Sequence, residues 1–405
     1  MQFDSTDIEI VNMRNRISLL IVILFTVMQL SARQRPAYYE QWALRVAQSE
    51  MVHNPELWMA DGVKKPKWDY TQTLVARAML DVYQHSGDTA ILNYTLRFAD
   101  YFINPDGSIK TYKLSDYNID RVNGGNFLYL LNELQPQDRY VKAISLLRSQ
   151  LLTHPRVSEG GFWHKKIYPH QMWLDGLYMA EPFYAHYAAV NDSIALFDDI
   201  ANQFIIVDKH TLDTLTGLNY HGWDEAREQI WADRTTGCSP NFWSRSMGWY
   251  VMAIVDVLDY MPVNHPQRQQ LIDILNRVCK SLLKYQDKKT KMWYQLTTLT
   301  DTEGNYLEST GTIMYCYAMA KGARKGYLPK CYRKVASKIF DGIVKYSTQQ
   351  NDDGTVSITR CCAVAGLGGK QQRDGSVAYY LSEPVRNDDP KAVGPFILAA
   401  YELAE

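Results

Sequence analysis

From Pro36 onward the chain repeats one pattern. Apolar residues recur at three- and four-residue intervals, and strict alternation of apolar with polar residues hardly appears. Such runs predict helices that bury one face or the whole surface. They fall at Tyr38–Met51, Tyr70–His85, Thr89–Phe102, Gly125–Leu134, Arg139–Leu152 and Gln171–Val190. Others follow at Ser193–His210, Asn241–Tyr260, Arg268–Tyr285, Glu308–Lys321, Lys330–Tyr346 and Pro390–Leu403. Short breaks of turn and capping residues join them in pairs: SGD at Ser86–Asp88, QPQ at Gln135–Gln137 and NHP at Asn264–Pro266. Helices in hairpins without a domain-sized linker predict one all-α domain over residues 37–405, a closed double ring whose inner helices meet a cleft. An open solenoid is the alternative, and no fixed-length repeat supports it. Helix-poor inserts at Asn104–Gly124, Thr153–Pro169, Thr211–Pro240 and Ser347–Asp388 are expected at the cleft mouth, where function usually collects.

The first 32 residues read differently. Ile17–Leu30 is apolar and uncharged, follows Arg14 and Arg16, and precedes Ser31 and Ala32, the layout of a secretory signal. It is short for a membrane span, which needs about 20 residues. The acidic leader Met1–Asn12 fits export poorly, whereas a start at Met13 gives MRNRISLL. The expectation is a signal peptide, a true start at Met13, and an exported, periplasmic protein without stable membrane insertion after signal removal. An uncleaved anchor is the alternative.

Composition narrows the chemistry. With 46% hydrophobic residues the 405-residue chain can bury a large core, and 43 Lys plus Arg against 44 Asp plus Glu argue against a nucleic-acid binder. Most of the 28 Tyr and 10 Trp belong in that core, but several stand beside Asp, His, Arg and Asn, which suits a sugar cleft. The six cysteines take no disulfide-framework or zinc spacing and the nine histidines no metal-ligand spacing. G-x-S-x-G, Walker-type and H-E-x-x-H motifs are missing. CCAVAGLGG at Cys361–Gly369 reads as a tight loop beside the cleft.

Four clusters carry candidate chemistry. In DYNIDRVNGGNFLYLL, Asp116 reads as a cap, whereas Asp120 is harder to assign to capping because Asn123 and Gly124 lie nearer the helix start. In GGFWHKKIYPHQMWLDGLYM, His164, Tyr168, His170, Gln171 and Asp175 share one loop-to-helix passage. Met172, Asp175 and Met179 are spaced to share a helix face. A carboxyl on that apolar face would have a raised pKa and hold a proton for general acid catalysis, or else would be a structural Asp bound to a backbone group or an Arg. LNYHGWDEA contributes His221 and Trp223. NFWSRSMGWYVM contributes Trp243, Arg245 and Trp249, either as sugar-stacking rings with a carboxylate-gripping guanidinium or as core rings with a structural ion pair.

Together, YPHQMWLDGLYM, YNIDRVNGGNFL, YHGWDEA and FWSRSMGWY closely resemble the unsaturated rhamnogalacturonyl hydrolases of glycoside hydrolase family 105, from about Tyr38 to Leu403 and including VGPFILAAYE. The resemblance implies a six-hairpin (α/α)6 barrel and needs no metal or organic cofactor. It implies a substrate left by polysaccharide lyases, an oligosaccharide ending in a uronate with a C4=C5 double bond. Asp175 would protonate C4 and activate the water that adds to C5, and the hemiketal formed would open and release the neighbouring sugar, usually rhamnose. Asp120 would assist, and His164, His221, Trp243, Arg245 and Trp249 would line the sugar site, with Arg245 offsetting the acidic substrate. Unsaturated glucuronyl substrates, including ulvan-type fragments, fit the same motifs. Two other readings stand beside this one: inverting hydrolysis by Asp120 and Asp175, which requires carboxyls about 6.5–9.5 Å apart, and a non-catalytic oligosaccharide-binding protein.

Overall fold

The computed structural model describes residues 35–405, so the signal segment and the alternative start lie outside the described residues. Helix α1 spans 35–53. It is followed by α2 (Tyr70–Ser86), α3 (Thr89–Phe102), α4 (Gly124–Leu134), α5 (Asp138–Thr153), α6 (Leu174–Val190) and α7 (Leu196–Thr211). The second half holds α8 (Ser244–Leu258), α9 (Arg268–Leu282), α10 (Ser309–Lys325), α11 (Cys331–Ser347), the short α12 (Val377–Ser382) and α13 (Pro390–Ala404).

Six of these close into an inner ring. Helix α2 packs on α4, α4 on α6, α6 on α8, α8 on α10, α10 on α13, and α13 returns to α2. The outer helices α3, α5, α7, α9 and α11 each cover an inner neighbour, and Trp42 of α1 meets Phe396 of α13 edge to face. This is the (α/α)6 barrel. The division follows from sequence: every residue of α8 is buried, as expected for an inner helix, whereas α9 buries a stripe of Leu271, Ile274, Leu275, Val278 and Leu282.

Connection length gives the barrel a direction. Inner-to-outer turns are short, at 87–88, 135–137, 191–195, 259–267 and 326–330. Outer-to-inner connections are long, at 54–69, 103–123, 154–173, 212–243, 283–308 and 348–389. All six long connections therefore reach the end where the inner helices begin. Side chains there cap these helices: Asp69 accepts from Tyr70 N, Glu308 from Thr310 N and Gly311 N, and Asp389 from Lys391 N.

The long connections also contain four antiparallel two-stranded ribbons: β1 (Gln171–Trp173) with β2 (Gly222–Asp224), β3 (Trp293–Tyr294) with β4 (Leu307–Glu308), β5 (Thr348–Gln350) with β6 (Val356–Ile358), and β7 (Cys361–Cys362) with β8 (Val385–Arg386). Ribbon β1–β2 corrects the helix expected over Gln171–Val190, because Met172 pairs with Trp223 and does not share a helix face with Asp175. The reason is burial: Gln171, Met172 and Trp173 are all buried, so their backbone groups need partners before the helix can supply them. Asn123 likewise is no cap; its amide donates to the Tyr178 carbonyl, while Asn118 accepts from Asp120 N.

At the opposite end a buried ionic cluster fills the barrel. Asp256 binds Lys321 at 2.7 Å, Arg77 at 2.9 Å and the Tyr317 hydroxyl at 2.6 Å, and Lys321 also reaches Asp259 at 2.6 Å. Burial alone would raise the Asp256 carboxyl, but Lys321 and Arg77 outweigh it and hold it at about 2. With the folded value below the unfolded one, this stabilisation is complete above about pH 4 and is lost as pH falls toward about 2. Asp256→Ala is expected to cost about 3 kcal/mol by denaturant unfolding at pH 7, because two buried cations lose their shared partner. A loss below about 0.5 kcal/mol, the scale of an ordinary surface substitution, would show that the cluster is not structural.

Candidate active site

A cleft of about 340 Å³ opens at the end of the barrel where the inner helices begin. Asp120 precedes α4, Asp175 is the second residue of α6, and Tyr70 and Lys391 stand at the starts of α2 and α13. Inner-helix N-termini thus face the cleft with their positive dipole ends, which favours negative charge there.

Asp175 lies at the cleft wall with its side chain 13% exposed. Its Oδ2 is 3.1 Å from His221 Nε2, although the angle leaves neither atom in a well-formed hydrogen bond. Two contacts fix His221 behind it: the carbonyl accepts from Leu174 N at 3.0 Å, and Nδ1 shares a 2.7 Å hydrogen bond with the Tyr380 hydroxyl. His221 is fully buried and touches the cleft only through Asp175.

Asp120 faces the same space from the turn Ile119–Asn123. Its Oδ2 is 2.5 Å from Lys165 Nζ and its Oδ1 3.5 Å from His164 Nε2. Burial would lower the Lys165 ammonium, but Asp120 outweighs this and raises it, so Lys165 stays charged. Burial pushes His164 well below the usual imidazole range, and Lys165 adds to the shift. His164 packs against the start of α6, where a Cβ on Gly176 would come to 3.0 Å from its Nδ1.

One wall is aromatic. Trp173 stacks on His164, with ring centroids 4.3 Å apart, and on Tyr168, at 4.9 Å, and those two rings are themselves 6.3 Å apart. A flat apolar face beside paired charges suits a sugar ring.

The structure brings Asp120, Asp175 and His164 to the cleft and sets His221 immediately behind it. The other three expected sugar-site residues lie behind the cleft wall and do not line the cleft. Trp249 is 1% exposed and stacks on Tyr178 at 4.8 Å, deep in the barrel. Trp243 is 1% exposed and donates to Gln295 Oε1 at 3.0 Å. Arg245 is 2% exposed, lies over the Trp243 ring at 4.7 Å and donates to the Cys362 carbonyl, so it supports the Ala363–Ala365 wall from behind. Burial drove all three inward, because their helix lies wholly inside the ring.

Lys165, Trp173, Arg373, Arg386 and Lys391 line the cleft without having been singled out as site residues. Trp173, two residues from Asp175, and Lys165, beside His164, carried a local signal. The other three carried none: what joins them to the cleft is distant in sequence, Arg386 and Lys391 reaching Asp61 and Arg373 donating to Tyr168, although Arg386 and Lys391 also pair locally with Asp389. Among the described residues no group of three or more His, Cys, Asp or Glu is placed to hold a metal ion.

Comparison with known proteins identifies the family. Residues 42–405 match Glycosyl Hydrolase Family 88. A structure described as a glycoside hydrolase from family 105, from C. acetobutylicum ATCC 824, is 43% identical and superposes with a TM-score of 0.86 over 89% of this chain and 99% of that one. The chain therefore belongs to the family 88 and family 105 glycoside hydrolases. The unsaturated rhamnogalacturonyl hydrolase YesR of Bacillus subtilis strain 168 is 23% identical over 72% of this chain and 78% of its own. The unsaturated glucuronyl hydrolase of Bacillus sp. GL1, 12% identical with a TM-score of 0.66 over 91% of this chain and 95% of that one, shares the fold.

The buried setting of His164 makes a direct prediction. Its ring is expected to stay neutral from pH 8 to pH 5 by NMR of labelled histidine, since its folded value lies below the unfolded one of about 6.5. Its uncharged burial then stabilises the fold above about pH 6.5 and loses that contribution in acid, as the unfolded chain takes up the proton. A midpoint near 6.5 in the folded protein would contradict this.

Proposed function

We propose that this protein hydrates the C4=C5 double bond of an unsaturated uronate at the end of a lyase-generated oligosaccharide. The observation that carries this reading is Asp175 itself. Every other carboxylate lining the cleft has a Lys or Arg partner: Asp61 has Arg386 and Lys391, Asp69 has Lys67 and Arg121, and Asp120 has Lys165. Among the described residues Asp175 has no Lys or Arg within ion-pairing distance and the His221 imidazole is its nearest ionisable partner, so it can give up and regain a proton without breaking an ion pair with a fixed cation.

The reaction balances on one residue. Asp175 gives its proton to C4, and the carboxylate left behind takes a proton from the water whose oxygen bonds to C5. Water is thereby added across the double bond and the acid is restored. The resulting hemiketal opens at the ring oxygen and expels the neighbouring sugar as an alcohol. Asp120, held by Lys165, sits where it can bind substrate hydroxyls, and the Trp173 face supports the ring.

The substrate we propose is an unsaturated galacturonyl residue linked to rhamnose, from rhamnogalacturonan I pectin. YesR, 23% identical to this chain, supports that choice by its name. Among the described residues no helix is long and apolar enough to cross a membrane. Export to the periplasm is proposed from the Ile17–Leu30 pattern alone.

Enoate absorbance is expected to fall when the protein acts on the unsaturated rhamnogalacturonan disaccharide, with rhamnose released and a saturated disaccharide untouched. Asp175→Asn is expected to fold normally and lose at least ~10²-fold in rate. Turnover of the saturated sugar would favour ordinary inverting hydrolysis. Turnover only of unsaturated glucuronyl fragments would move the substrate to ulvan-type oligosaccharides, and near-normal rate in Asp175→Asn would remove that residue from the mechanism.

A further inference from the structure

The cations lining the cleft are matched by carboxylates with one exception. Lys165 has Asp120, Lys67 has Asp69, and Arg386 and Lys391 share Asp61 and Asp389. Arg373 has none: among the described residues no carboxylate lies within ion-pairing distance of its guanidinium. It is held by neutral oxygens instead. Nε donates to the Gly368 carbonyl at 3.0 Å, and Nη2 donates to the Tyr168 hydroxyl at 2.9 Å and the Leu367 carbonyl at 3.3 Å. No described residue accepts from Nη1.

The loop is built to hold this side chain flat. Gly368 and Gly369 have φ of +57° and +73°, conformations that let Gly368 N bond back to the Arg373 carbonyl at 2.8 Å. A Cβ on Gly366 would come to 2.4 Å from Nη1. The acid next in sequence, Asp374, accepts from Ser376 N at 2.9 Å; it and Glu383 line an open groove that Arg373 also borders, but neither forms an ion pair with the guanidinium. A half-buried guanidinium, fixed by three oxygens yet lacking a counter-charge, is an unfavourable arrangement in the free protein. It becomes favourable when an anion arrives with two oxygens in a plane.

We propose that Arg373 is the anchor for an oxyanion carried by the substrate, either the uronate carboxylate or a sulfate ester on the adjoining sugar. Tyr168 links this anchor to the Trp173 face, so the acidic group and the sugar plane are fixed together. The inference rests on the cleft being an acidic-oligosaccharide site, and it replaces Arg245 as the group that offsets substrate charge.

The test is a calorimetric titration of Asp175→Asn, with and without Arg373→Gln, run beside turnover by the wild-type protein. The probes are the unsaturated uronyl disaccharide, its methyl ester, and an analogue sulfated on the second sugar. If the carboxylate is the ligand, Arg373→Gln weakens the free acid at least about tenfold and leaves the ester unchanged, and Arg373→Lys restores only part of the loss. If sulfate is the ligand, only the sulfated analogue weakens. Equal weakening of all three probes, or of none, overturns the proposal, with circular dichroism and the melting temperature showing whether the loop has simply collapsed. The two readings fail separately: turnover with Arg373-independent binding sinks the anchor alone, and Arg373-dependent binding without turnover sinks the hydration reading alone. Absence of both binding and turnover sinks both.

Discussion

The inner ring can close only with its six helices side by side, and every one of them is entered through a long connection from the outer ring. That constraint sends all the long loops and all the inner-helix starts to one end of the barrel. Unpaired N–H groups and positive dipole ends collect there, and acidic side chains answer them. Some cap a helix outright, as Asp69, Glu308 and Asp389 do. Asp120, just ahead of α4, and Asp175, second in α6, stand in the same zone without capping anything, and they face the cleft. The other end carries short turns and an ionic cluster bordered by a pocket of only about 40 Å³, so it offers stability and little room for a ligand.

Charge pairing then sorts the carboxylates by role. Asp61, Asp69 and Asp389 hold connections against one another through Arg386, Lys391, Lys67 and Arg121. Asp120 is tied to Lys165, which holds it in place. Asp175 has the His221 imidazole beside it and a side open to the cleft, which fits the acid–base role proposed for it. Support comes from two inserts at once: β1 leads into the helix carrying Asp175, and β2 follows directly after His221. A register shift in that ribbon would move both partners together.

Much of the fold was legible because apolar residues recur at helical spacing along the chain, and because SGD, QPQ and NHP mark turns that the structure keeps short. The helix starts were less legible. Gln171–Trp173 and Asn241–Trp243 look helical by composition, but each runs extended into an inner helix, with Trp173 paired in a ribbon and Trp243 bridged to Leu296. Asp120, His164, Asp175 and His221 stood out through local density of polar groups in apolar runs. Arg245 misled for the same reason, since a Trp beside an Arg is also what a buried helix uses to satisfy a distant carbonyl, here that of Cys362. Arg373 was silent, because Tyr168, which joins it to the cleft, is 205 positions away. Pairings of that range leave no pattern in a window of sequence.

The central claim is that the double bond reacts and that the glycosidic bond breaks only as a consequence. An unsaturated uronate whose neighbouring group is attached through carbon tests this directly, because its anomeric linkage cannot be displaced. The account predicts that the protein still removes the enoate absorbance of this compound, and that Asp175→Asn does not. Unchanged absorbance, in a preparation that cleaves the oxygen-linked counterpart, would contradict it.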